Sequence, residues 1–127
     1  MTRIICGVDV SSQTLHGRIG AEGADQVFAN SAEGIAALGA FCGTHRVELV
    51  AMEATGGYEQ LPYALLWEQG LPTAILNPRA VRRFAEGMGL LEKTDRIDAG
   101  VIAWFAATKR IVAAPPPSAL QQRLKAL

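Results

Sequence analysis

Ile4-Ile5-Cys6-Gly7-Val8-Asp9-Val10 and, further along, Val47-Glu48-Leu49-Val50-Ala51-Met52-Glu53 are the stretches that decide the fold. Both are apolar runs of strand length, and neither shows the sustained alternation of a strand with one wet face. They read as strands buried on both sides. Working outward from the first, Ser11-Ser12-Gln13 makes a turn. Residues 15–19 and 26–29 follow as two more strands, with 20–23 as their hairpin connection. Ser31 is a good cap for a helix in which Ile35, Leu38, Phe41 and Cys42 recur at helical spacing, and Gly43 closes it.

After the second buried strand, Gly56-Gly57 turns the chain into a helix over residues 58–69, with Leu61, Leu65 and Leu66 on its apolar face and Gly70 at its end. Residues 73–76 form a short strand. Asn77-Pro78 then starts a helix, with Asn as the cap and Pro at the first position, until Gly87 and Gly89 break it. Thr94 caps a last helix over residues 95–109, which buries Ile97, Val101, Ile102 and Phe105. A hairpin region followed by strand–helix–strand crossovers implies an α/β fold, a mixed five-stranded sheet with helices packed on it.

The chain of 127 residues is long enough for one compact domain with a core of its own. We assign that domain to residues 1–112. Pro115-Pro116-Pro117 is a stiff break, and residues 113–127 hold it together with the start of a linker helix striped by Leu120, Leu124 and Leu127. Lys plus Arg and Asp plus Glu both number 12, which excludes a strongly basic binder but not a neutral domain with basic patches. Cys6 and Cys42 sit in apolar runs without metal-ligand spacing and read as small buried hydrophobes of a reducing compartment. With no signal peptide and no membrane-length apolar run, the expected location is cytoplasmic.

Four acids stand out by position. Asp9 lies inside an apolar strand, where a carboxylate is costly to bury unless paired or bound to a cation. Glu53 ends the second buried strand. Asp95 and Asp98, three apart, would share one face of the last helix. If the first and fourth strands are neighbours, Asp9 and Glu53 meet at adjacent strand ends and the last helix covers them. Oxygen ligands of this kind suit Mg²⁺ or Mn²⁺. Two such ions about 3.5–4 Å apart serve phosphodiester cleavage. Each acid alone also has a structural explanation. Glu53 fits a surface strand end, Asp95 and Asp98 fit a helix N-terminus, and Asp9 fits a turn cap.

The joint pattern goes further. Gly7-Val8-Asp9-Val10-Ser11, Met52-Glu53-Ala54-Thr55-Gly56-Gly57-Tyr58, Asn77-Pro78 and Lys93-Thr94-Asp95-Arg96-Ile97-Asp98-Ala99 resemble, in order, the DEDD transposases of the insertion-sequence 110 family, which include the Piv-type DNA invertases. The resemblance covers about residues 3–109. It implies an RNase H-like fold of the RuvC type, DNA as substrate, and Asp9, Glu53, Asp95 and Asp98 as a catalytic tetrad holding Mg²⁺ or Mn²⁺, with two ions. Thr55, Gly56 and Tyr58 belong to the family's signature, and the glycines would let the backbone approach the metal site or DNA closely. Family members are longer, with a helical linker and a C-terminal domain carrying a serine for strand exchange, so the chain reads as an isolated catalytic domain. The full-length enzymes work as homo-oligomers with a guide RNA.

Arg79, Arg82 and Arg83 cluster on the helix after Asn77-Pro78 and are candidates for gripping a nucleic-acid backbone, as are Lys93 and Arg96. A solvated helix face explains the cluster equally simply. His16 and His45 lack zinc-ligand partners, Ser11 and Ser12 lack a base, and Trp67 and Trp104 read as core residues. Three rival functions share parts of this pattern. They are a RuvC-type Holliday-junction resolvase, a non-catalytic nucleic-acid-binding or assembly fragment, and an actin-like ATPase. The last needs a second half for which the chain has no room.

Overall fold

A computed structural model describes residues 3–91 and 96–117. The expectations attached to Lys93, Thr94 and Asp95, and the leucine stripe at Leu120, Leu124 and Leu127, lie outside the described residues. Five strands and four helices follow in the expected order. They are β1 (Ile5–Val10), β2 (Thr14–Ile19), β3 (Asp25–Ala29), α1 (Ala32–Thr44), β4 (Leu49–Glu53), α2 (Gln60–Glu68), β5 (Thr73–Leu76), α3 (Pro78–Gly87) and α4 (Ala99–Thr108). The strands form one mixed sheet in the order β3-β2-β1-β4-β5. β1 pairs antiparallel with β2 and parallel with β4, and β4 pairs parallel with β5.

Alternation along β1 and β4 explains why both runs are apolar throughout. Cys6, Val8, Val10, Val50 and Met52 face Ile35, Leu38 and Cys42 of α1 and Leu66 of α2. Ile5, Leu49, Ala51, Ala74 and Leu76 face Val81 of α3 and Ile102, Ala103, Phe105 and Ala106 of α4. The sheet is therefore a wall with a helix pair on each side. Cys6 and Cys42 are both buried as free thiols. The hydrogen bond to Cys42, and then burial, push the Cys6 thiol up, so it stays protonated and inert.

Gly7 sets how close α4 comes to the sheet. A Cβ there would lie 2.0 Å from the carbonyl oxygen of Ala99 and 2.7 Å from the amide nitrogen of Ala103. In the helix's first turn, a Cβ at Gly100 would lie 2.4 Å from the carbonyl oxygen of Ala21 in the β2–β3 connection. Only glycine permits these backbone contacts.

Three expectations need correction. Gly43 does not close α1. The helix runs through Thr44, and Val47 N–H reaches back to the Cys42 carbonyl at 3.0 Å, with Arg46 at φ 56° as the left-handed residue. The same closure ends α2 and α3 at Gly70 and Gly89, and α4 at Arg110. An arginine performs the turn usually given to glycine, so the glycine signal points to the wrong residue. α4 does not include Asp98, because Asp98 is its N-cap and residues 96–98 are irregular. Trp104 is 36% exposed on the rim, edge-to-face against Phe84, rather than in the core. Trp67 is half-buried and donates its indole N–H to the Thr73 carbonyl.

Gly7→Ala should push α4 off the sheet and lower stability by about 1–3 kcal/mol. Chemical denaturation of parent and variant checks this, and an unchanged midpoint would show that α4 does not need the close approach.

Candidate active site

The last register pair of β1 and β4 is Val8 with Met52. One residue on, Asp9 and Glu53 leave adjacent parallel strands on the same face, the face carrying Ile5, Gly7, Leu49 and Ala51 and covered by α3 and α4. Both carboxylates are only partly exposed, and Glu53 Oε1 is buried with no hydrogen-bond partner among the described residues. Burial, and then the charge on Asp9, push the Glu53 carboxyl up to about 7, with Arg82 on α3 opposing. Arg82 also pairs with Glu86 at 3.6 Å. Asp9 Oδ2 accepts a hydrogen bond from Arg96 Nη2 at 2.9 Å.

The structure therefore brings Asp9, Glu53, Arg82 and Arg96 to one place at the carboxyl ends of β1 and β4. Asp98 stands at the start of α4, exposed, with Oδ1 accepting from the Val101 amide at 2.9 Å. Among the described residues, no third His, Cys, Asp or Glu joins Asp9 and Glu53 in a cluster, and Asp95 falls outside them. Arg79 and Arg83 are exposed on α3, whose N-cap Asn77 accepts from the amides of Arg79 and Ala80. Lys93 lies outside the described residues.

Two residues that sequence reasoning passes over hold the loops around this pair. Glu59 is 4% exposed, and its Oε1 accepts from Thr55 N at 2.7 Å, Thr55 Oγ1 at 3.0 Å and Gly57 N at 3.0 Å. Burial alone would raise its carboxyl. The hydrogen bonds from Thr55, Gln60 and Gly57 outweigh it and hold the value down to about 2. Asn30, at the end of β3, donates from Nδ2 to the carbonyls of Ser11 at 2.9 Å and Tyr58 at 3.1 Å. It ties the turn after β1 to the loop after β4.

Nothing in periodicity marks either residue, because an acid before a helix reads as a dipole partner and an asparagine after a strand reads as a turn. The glycines of this loop take left-handed backbone conformations. Gly56 and Gly57 have φ of 81° and 122°, and a Cβ on either would meet nothing in the chain within 4 Å. Their positive φ favours glycine at both positions.

A carboxyl with a raised folded-state value binds its proton more tightly in the native chain than in the unfolded one. Stability of the metal-free protein should therefore fall as pH rises from about 4.5 to about 7 and level off above that. Because Glu53 is partly exposed, the loss is on the order of 1–2 kcal/mol, below what the full shift would give. Glu53→Gln should flatten this decline and raise the melting temperature at pH 8 by several degrees. Equal melting curves for parent and variant from pH 5 to 8 would refute the repulsion at this site.

Residues 6–127 match the DEDD_Tnp_IS110 family, described as a transposase. No curated protein sequence matches significantly. Among solved structures, the chain is similar to Thermus thermophilus RuvC in complex with a Holliday junction substrate. That match has a TM-score of 0.60 at 18% identity and covers 89% of this chain and 99% of the other. A second Thermus thermophilus RuvC structure matches with a TM-score of 0.50 at 18% identity, covering 95% and 96% of the two chains. At that identity the likeness establishes the fold, which is RNase H-like. The family match extends over nearly the whole sequence, and the chain belongs to the DEDD transposases of the IS110 family, enzymes of nuclease type.

Proposed function

We propose that Asp9 and Glu53, together with Asp95 and Asp98, hold Mg²⁺ or Mn²⁺ and carry out DNA strand cleavage and joining. The observation that supports this best is Glu53 Oε1, a buried carboxylate oxygen that has no hydrogen-bond donor among the described residues and lies beside a second carboxylate. A pair of half-buried acids with an unsatisfied oxygen suits a hard divalent cation, which satisfies that oxygen and offsets the repulsion. Bound there, such an ion would polarise a phosphodiester and favour attack by an oxygen nucleophile, and two ions would serve both the attacking and the leaving oxygen.

The chain's own residues supply the rest. β1 and β4 fix the two carboxylates by their pairing. Glu53 would hold the cation as a carboxylate, giving up the proton that burial and Asp9 favour. Glu59 and Asn30 keep the loops after β4 and β1 in place. Arg79, Arg82 and Arg83 present positive charge on α3 and would hold the backbone of the DNA. In this reading residues 1–112 form the catalytic domain. A guide RNA and assembly into homo-oligomers are further parts of this reading. Among the described residues, no helix is long and apolar enough to cross a membrane. The fold by itself also fits a junction resolvase, and comparing cleavage of four-way junctions with cleavage of linear duplex separates the two.

Mn²⁺ titration by calorimetry should show binding to the parent that disappears in Asp9→Asn with the fold intact. It should strengthen from pH 6 to 8 with release of a proton. Equally tight binding by both proteins would remove Asp9 from the site. Replacing Arg79, Arg82 and Arg83 together with Ala should make DNA affinity depend less steeply on log salt. The slope should fall by about 0.9 for each phosphate no longer neutralised. An unchanged slope would place the DNA elsewhere.

A further inference from the structure

The guanidinium of Arg96 lies 2.9 Å from Asp9 Oδ2 across 87 positions of sequence. The Arg96 side chain is 76% exposed, whereas that of Asp9 is only 23% exposed. Arg96 stands in the irregular segment two residues before the α4 N-cap, Asp98. Charged neighbours at this spot are Glu53 and Arg82, which influence each other electrostatically, while Asp98 is committed by one oxygen to the α4 cap. Arg96 is thus the cation now seated on a carboxylate that the proposed function gives to a metal ion.

We propose that Arg96 is a positioning residue that neutralises Asp9 until a divalent cation arrives and then turns to a DNA phosphate. This rests on Asp9 being a metal ligand. A metal ion that takes Asp9 Oδ2 competes with the guanidinium already there and repels it, so loading through that oxygen displaces Arg96. Its exposure makes that departure easy, since exposed ion pairs are weak. The released planar fork stands beside the site where a phosphate would lie, and its geometry matches phosphate oxygens. The exchange would couple metal loading to DNA binding. Without metal the site is held closed and partly neutral, and with metal it gains a free phosphate-binding group.

The test is Mn²⁺ calorimetry on the full chain and on Arg96→Gln and Asp9→Asn, paired with DNA affinity measured across salt concentrations. Arg96→Gln should bind Mn²⁺ about two- to fivefold more tightly than the parent, because the competing cation is gone. With Mn²⁺ held constant, the same variant should lose about 0.9 from the slope of log affinity against log salt, and in EDTA it should lose nothing. Unchanged or weaker Mn²⁺ binding by Arg96→Gln, with Asp9→Asn losing it, would make the ion pair a structural pin and overturn this inference alone. Mn²⁺ binding that survives in Asp9→Asn, or is absent from parent and Arg96→Gln alike, would overturn the metal reading and this inference with it.

Discussion

The parallel pairing of β1 with β4 is the constraint on which the rest depends. Its register sets Val8 beside Met52, so the next residues, Asp9 and Glu53, must emerge side by side on one face. Helices cover that face, so neither acid can retreat fully into water. Burial and repulsion together lift the Glu53 carboxyl from 4.5 to about 7. A sheet that served only stability would gain by replacing either acid with an apolar residue of similar size. The pair of acids is intelligible under the proposal that a divalent cation binds between them.

The surroundings serve the same end of the sheet. α4 lies against β1 because Gly7 offers no side chain to hold it away, and this closeness brings Arg96 within reach of Asp9. Glu59 commits a buried carboxylate to three donors of the loop after Glu53, and Asn30 links that loop to the turn after Asp9. The cost of burying the Glu59 carboxylate is offset by its hydrogen bonds. What they secure is a fixed backbone on either side of the two acids.

Much of this is legible in the sequence. Strand-length apolar runs at residues 4–10 and 47–52 report the central strands, because burial on both faces leaves no room for alternation. Asn77-Pro78 announces α3 correctly, since the cap and the preset φ of proline act within a few residues. The acids at Asp9 and Glu53 are conspicuous because charge is rare inside such runs. Less legible are features that depend on distant partners or on unusual residues in ordinary roles. Arg46 and Arg110 take left-handed turns that glycine normally signals, so the sequence places the end of α1 too early. Asp98 reads as a helical residue because a cap and a first-turn acid look alike in one dimension. Glu59 and the Arg96–Asp9 pair follow from the folded arrangement alone.

The central claim is that Asp9 and Glu53 emerge side by side and half-buried, so that a cation can take the Glu53 oxygen that has no donor among the described residues. Carbon-13 NMR titration of the Glu53 side-chain carboxyl, with and without Mg²⁺, tests it most directly. The account predicts titration at about 7 in the metal-free chain and a fall well below that value when Mg²⁺ is present. A Glu53 that titrates near 4.5 in both conditions would contradict it.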